Sequence, residues 1–161
     1  MDYSPLRYGM IGGGEGSFIG AVHRLSARID GKTELVCATF SRDHANTLRT
    51  GKSLGVADDR LYRSYEEMFA AEAKLPASAR MQFVIIATPN HQHVPAAIAA
   101  LKHGFHVLCD KPVGLNYAEA LSLHETIMET GLLYGLTHTY LGYPMVRQAR
   151  HLIENGHIGA I

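Results

Sequence analysis

Tyr8-Gly9-Met10-Ile11-Gly12-Gly13-Gly14-Glu15-Gly16-Ser17-Phe18-Ile19-Gly20 decides how the rest of the chain is read. A short apolar run stops at a cluster of glycines. From Phe18 to Ile29 the spacing turns helical, with Ile19, Val22 and Leu25 on one face. A strand that passes through a glycine-rich turn straight into a helix serves two needs. The turn requires positive φ, and a ligand must approach backbone that no Cβ covers. The free amides and positive dipole end of the following helix suit a phosphate group.

Gly12 and Gly14 fit the first two positions of the dinucleotide pattern G-x-G-x-x-G, but Ser17 stands where the third glycine belongs. Gly20 would supply the close helix–sheet packing if the turn is longer than usual. Gly12, Gly14, Gly16, Ser17, Phe18 and Ile19 are therefore the expected pyrophosphate-binding residues.

Downstream, strand-like and helix-like segments alternate to the end. Strands are expected at Glu34 to Phe40, Phe83 to Ala87, His106 to Cys109 and Leu132 to Thr137, with a short one at Leu61-Tyr62. Helices are expected from Asp43 to Leu54, from the Ser64/Glu67 capping box, from Asn90 to His103, from Asn116 to Thr130 and from Tyr143 to Asn155. Ser64 with Glu67, and Asn116 with Glu119, have the spacing at which cap and side chain satisfy each other's amides. Lys74 to Arg80 reads as a surface loop. Phe83-Val84-Ile85-Ile86-Ala87 is apolar at every position, as a strand covered on both faces must be. The fold class is therefore α/β: a doubly wound, mainly parallel sheet of the Rossmann type in three αβα layers. Ligands of such sheets bind beyond the carboxyl ends of the strands.

The tip of the second strand reads Thr39-Phe40-Ser41-Arg42-Asp43. The position that would read a ribose with a carboxylate holds Ser41 and Arg42 instead. A serine and an arginine welcome a 2′-phosphate, which favours NADP over NAD. Arg42 has two other readings: stacking on adenine, or a solvated charge at a helix start.

After the strongest strand comes Thr88-Pro89-Asn90-His91-Gln92-His93. Thr88, Pro89, Asn90 and His93 are expected near the nicotinamide end. The histidine pair is read as a polar wall or helix start and not as a metal site, because residues two apart on a helix diverge. Asp110-Lys111-Pro112 ends the next strand and faces the same crevice. Lys111 is the catalytic candidate, an ammonium able to bond a substrate hydroxyl and ease its deprotonation, and it competes with a plain surface lysine. Pro112 stiffens the turn, with a cis bond before it as an option.

A length of 161 residues fits one domain, and a 47% apolar share suffices for a core. Fifteen basic and fifteen acidic residues leave no net charge, which argues against nucleic acid or an anionic membrane as partner. No apolar run approaches a membrane span, and MDYSPLRYGMIGGG lacks the basic and apolar regions of a signal peptide. Cys37 and Cys109 lie in apolar runs and read as small core residues of a cytoplasmic protein.

Together these segments resemble the Gfo/Idh/MocA (glucose–fructose oxidoreductase/inositol dehydrogenase) family over essentially the whole chain. The resemblance is carried by Gly9 to Gly14 and on to Gly20-Ala21-Val22-His23, by Ala87 to His93, by Asp110-Lys111-Pro112, and by Thr137 to Arg147 with Glu154-Asn155-Gly156. It implies hydride transfer between NAD(P) and a sugar or cyclitol hydroxyl, with Lys111 at the position of the family's conserved lysine. Asp110 stands where that family has glutamate, a shorter carboxylate. The resemblance also implies a following domain that carries substrate contacts, an oligomer interface and an acid/base histidine. The whole chain, 1–161, is expected to be the cofactor domain alone, breaking off at Gly159-Ala160-Ile161 where that second domain begins. His138 and His151 lie in the cofactor half. The expectation is a dinucleotide binder, inactive by itself, with an exposed apolar face prone to self-association. The alternative is a non-catalytic module that senses NAD(P).

Overall fold

The computed structural model describes residues 4–160. Residues 1–3, at the head of the stretch read for a leader, and 161, the end of the expected lead into a second domain, lie outside the described residues. Five strands form one sheet: β1 (Leu6–Gly12), β2 (Thr33–Thr39), β3 (Phe83–Ala87), β4 (His106–Asp110) and β5 (Tyr134–Thr137). Their order is β2-β1-β3-β4-β5, and every pairing is parallel. Among the described residues six α-helices connect or follow them: α1 (Phe18–Arg28), α2 (His44–Ser53), α3 (Tyr65–Glu72), α4 (His93–Lys102), α5 (Tyr117–Thr130) and α6 (Pro144–Glu154). The chain leaves β1 toward β2 on one side and resumes at β3 on the other. That reversal opens a crevice at the carboxyl ends of β1 and β3.

Neighbouring residues of β1 and β3 enter different cores. Met10 and Ile85 join Tyr8, Ala38 and Phe40, whereas Ile11 and Ile86 join Phe69, Leu101 and Phe105. Strand side chains alternate between faces, so a continuous apolar run marks a sheet covered on both. This is the expected three-layer arrangement. Burial also pushes the Cys37 thiol well above its usual range and Cys109 up to about 12. Neither is a thiolate at neutral pH.

Four local expectations change. Leu61 and Tyr62 are buried but form no strand. Leu61 makes a single parallel bridge to Ala38, and the Tyr62 amide donates to the Ala38 carbonyl at 2.9 Å. A 3-10 turn at Asp58–Arg60 before them and the Ser64 cap after them leave no length for a ladder. Asn90 does not cap a helix. Pro89 opens a 3-10 turn, Asn90–Gln92, and α4 starts only at His93, with no side-chain cap.

The caps at Ser64 and Asn116 are real, but their return bonds fall one residue early. Ser64 Oγ accepts from the Glu67 amide at 3.2 Å, while Glu67 Oε2 accepts from Arg63 and not from Ser64. Asn116 accepts from the Glu119 amide at 3.0 Å, while Glu119 accepts from Leu115. Both cap residues are fully extended, which brings the preceding amide within reach.

Finally, α1 buries Gly20 and His23, and of the expected face only Ile19 packs, part-buried, against the core. Val22 and Leu25 are 40% and 65% exposed, in line with Phe18 and Ile29 on an outward stripe. Apolar side chains of α6, Met145, Val146 and Ile153, are exposed as well, and no residue of that helix is buried.

One buried charge anchors the face that carries α3. Glu72 is fully buried and takes both Arg60 Nε and Nη2 at 2.6 Å. It also accepts from Tyr62 Oη and the Met81 amide, each at 3.0 Å. Burial, then the nearby Glu72 carboxylate, raises the Tyr62 phenol well above its ordinary value. Removing one partner of such a pair strands the other without compensation. Glu72→Ala is expected to lower the unfolding free energy by about 3–5 kcal/mol in urea titrations. A loss below about 1 kcal/mol would show that the network carries no weight.

Candidate functional site

The crevice is shaped by the turn between β1 and α1. Gly12, Gly13 and Gly16 have φ values of 76°, 76° and 86°, which L side chains rarely adopt. A Cβ on Gly12 would strike the Ala87 carbonyl oxygen, and one on Gly20 would strike the backbone of Gly13. Gly20 thus performs the packing role of the missing third glycine, three residues late. Ser17, in that glycine's place, is the N-cap of α1, and its Oγ lies 3.4 Å from the Gly20 amide. The Phe18 and Ile19 amides have no acceptor among the described residues. Gly16 has open space where a Cβ would be, and the Phe18 side chain is 83% exposed, so neither blocks the hollow.

Residues that sequence reasoning did not single out bolt this turn in place. The Glu15 amide donates to Asn46 Oδ1 at 3.1 Å and Thr50 Oγ1 at 2.9 Å, and Asn46 Nδ2 returns a bond to the Glu15 carbonyl. The Gly14 amide donates to the Phe40 carbonyl at 3.2 Å. Arg24 Nη1 donates to the Gly13 carbonyl at 2.6 Å, with its guanidinium over the Phe40 ring. Asn46 and Thr50 lie four apart on one face of α2, a spacing visible in the sequence had a polar partner been sought for the turn.

A cleft of about 590 Å³ results, within the usual range for small-molecule sites. It is walled by Gly12 to Ser17, by Thr39 to Arg42 at the end of β2, by Ala87, Thr88 and Pro89 at the end of β3, and by Arg63 to Glu66 leading into α3. Of the residues singled out in the sequence, Gly12, Gly14, Gly16, Ser17, Ser41, Arg42, Thr88 and Pro89 line this one cleft, whereas Phe18, Ile19, Asp110, Lys111 and Pro112 lie outside its lining. Thr88 Oγ1 is buried there with no hydrogen-bond partner among the described residues, a polar atom left for a ligand. Arg42 Nη2 and His91 Nε2 stand 3.3 Å apart. Glu15 lines the cleft but is tied to Arg49 at 3.1 Å.

His93 does not face the cleft. It is 1% exposed, with Nδ1 at 2.7 Å from the Pro112 carbonyl and Nε2 at 3.0 Å from the Thr88 carbonyl. It ties the end of β3 to the turn after β4 and is a brace, not a wall. Asn90 is exposed on its 3-10 turn, outside the cleft lining.

Asp110, Lys111 and Pro112 follow at the carboxyl end of β4, and the Lys111–Pro112 peptide is cis. Asp110 Oδ1 accepts from the Lys111 amide at 2.9 Å and from Thr137 Oγ1 at 3.0 Å. His23 Nε2 lies 3.9 Å from the same oxygen. Burial lowers the His23 pKa, and the Asp110 charge partly opposes that. Lys111 is exposed. Among the described residues no group of three or more His, Cys, Asp or Glu is placed to hold a metal ion.

The family described as "Oxidoreductase family, NAD-binding Rossmann fold" (Gfo/Idh/MocA) matches residues 6–138. YfiI, an uncharacterized oxidoreductase of Bacillus subtilis, is 38% identical over 158 residues, 98% of this chain and 40% of that protein. An oxidoreductase from Sinorhizobium meliloti is 47% identical, with a TM-score of 0.86 over 98% of this chain and 43% of its own. An inositol dehydrogenase homolog from Azotobacter vinelandii, solved as a complex with NAD+, is 37% identical, with a TM-score of 0.91 over 98% of this chain and 40% of its own. The chain therefore spans less than half the length of each of these relatives.

The contact between Gly20 and Gly13 separates packing from turn strain. Gly20→Ala is expected to cost about 1–3 kcal/mol of stability, because helix and turn must part. It should also weaken dinucleotide binding about tenfold or more in calorimetric titration, since the Phe18 and Ile19 amides move with the helix. A Gly20→Ala variant that binds with undiminished affinity would detach the ligand site from this contact.

Proposed function

The chain belongs to the Gfo/Idh/MocA oxidoreductase family as its NAD-binding Rossmann domain, and on that premise we propose that it is the cofactor half of an enzyme acting on a sugar or cyclitol hydroxyl. When bound, the dinucleotide supplies hydride transfer at its nicotinamide. The observation that carries this reading is the bare hollow between Gly12 and Ile19, where unclaimed amides meet the positive end of α1. Gly12, Gly14, Gly16, Ser17, Phe18 and Ile19 hold the diphosphate. Thr88 and Pro89 border the dinucleotide at the end of β3, and Asn90 stands just beyond them.

Lys111 is the residue that bonds the reacting hydroxyl and helps move its proton. Asp110 holds the turn on which Lys111 stands, and Pro112 and His93 keep that turn against the Thr88 loop. Further substrate contacts are assigned to a domain outside 1–161, of the kind that the greater length of the relatives accommodates. Without it the chain binds cofactor and does not turn over substrate. The exposed apolar surface on α1 and α6 suits packing against such a domain or a second copy. The protein is assigned to the cytoplasm, where buried free thiols persist reduced.

NADP is preferred to NAD. Ser41 and Arg42 stand at the tip of β2, where no carboxylate is available to accept both ribose hydroxyls or to repel a 2′-phosphate. Following nicotinamide fluorescence as NADPH and NADH are added should give saturable binding, with NADPH about tenfold tighter. Absence of saturation with either dinucleotide overturns the function. Equal or tighter NADH binding overturns only the NADP assignment.

A further inference from the structure

Arg42, in the cleft lining at the end of β2, and His91, outside that lining on the 3-10 turn after β3, are two basic side chains in contact. Elsewhere the arginines that bond do so to acceptors: Arg49 to Glu15, Arg60 to Glu72, Arg150 to Glu154, Arg7 and Arg24 to carbonyls. Arg42 bonds only to an imidazole, and neither partner meets a carboxylate among the described residues. An anion seated between them would meet an N–H donor from each side chain.

The charged groups around the pair come from every neighbouring element. Arg42 and Asp43 follow β2, Arg63 and Glu66 lead into α3, and Glu15 belongs to the glycine turn. Asp43 is turned back as the cap of α2, and Glu15 is held by Arg49. The cleft therefore offers Arg42 and Arg63, with Glu66 as the acid of its lining that meets no cation among the described residues.

From this geometry we infer that His91 is a specificity-determining residue: with Arg42 it clamps the 2′-phosphate of NADP. The inference rests on the NADP assignment above and extends it to the turn after β3. Selectivity for the phosphate then depends on the imidazole as well as on the guanidinium.

The test is calorimetry on the chain with 2′,5′-ADP and 5′-AMP as probes, in the native protein and in His91→Gln. In the native protein 2′,5′-ADP should bind about tenfold more tightly than 5′-AMP. In His91→Gln that preference should fall about fivefold, while 5′-AMP affinity stays unchanged and certifies the fold. A variant that keeps the native preference overturns the role of His91 and leaves the NADP assignment standing. A native protein that binds both probes equally overturns the assignment and the clamp together.

Discussion

Two glycine backbones in contact, Gly20 of α1 against Gly13 of the turn, set the geometry of the crevice. No side chain fits between them, so α1 lies as close to the sheet as backbone allows. Its first amides are thereby carried to the carboxyl edge of β1, where the strand order reverses. Gly12 makes the same demand against the end of β3. The hollow is thus a consequence of close backbone approaches, and what remains empty inside it is the size of a ligand.

That contact also explains what could and could not be read in the sequence. The strands were legible because β1 and β3 are covered on both faces, which leaves continuous apolar runs such as Phe83 to Ala87. The glycine turn and the late third glycine were legible because φ and packing admit so few other residues. The buried face of α1 was not. A hydrophobic period points to Val22 and Leu25, but the helix presses down with its smallest residue and carries His23 inward beside it. Where backbone contact sets the distance, side-chain size outranks hydrophobicity in choosing the face. His93 misled for a related reason: a histidine between two loops looks the same in sequence whether its ring lines a cleft or braces the backbone beneath it. The Asn46, Thr50 and Arg24 anchors were hidden because each bonds backbone distant in sequence, which no local pattern reports.

Two sets of polar groups contrast. Far from the cleft, Glu72 is satisfied four times over, by Arg60 twice, Tyr62 and Met81. A buried charge so fully matched fixes α3 against the strands and has no capacity left for a ligand. Along the cleft the opposite holds. Thr88 Oγ1 has no partner among the described residues, the first amides of α1 have none, and Arg42 meets only another base. Unmatched groups are costly in a structure that stays empty, and these cluster on the surface where a diphosphate and its sugars would match them.

The aspartate at position 110 follows the same logic. Asp110 folds back on the Lys111 amide and on Thr137 of the neighbouring strand. The carboxylate is consumed in holding the backbone of the turn, with His23 behind it, and the Lys111 side chain is left exposed beyond it. The turn after β4 is then braced twice, by Asp110 from within and by His93 across to Thr88. The loops that follow β3 and β4 are joined through that ring.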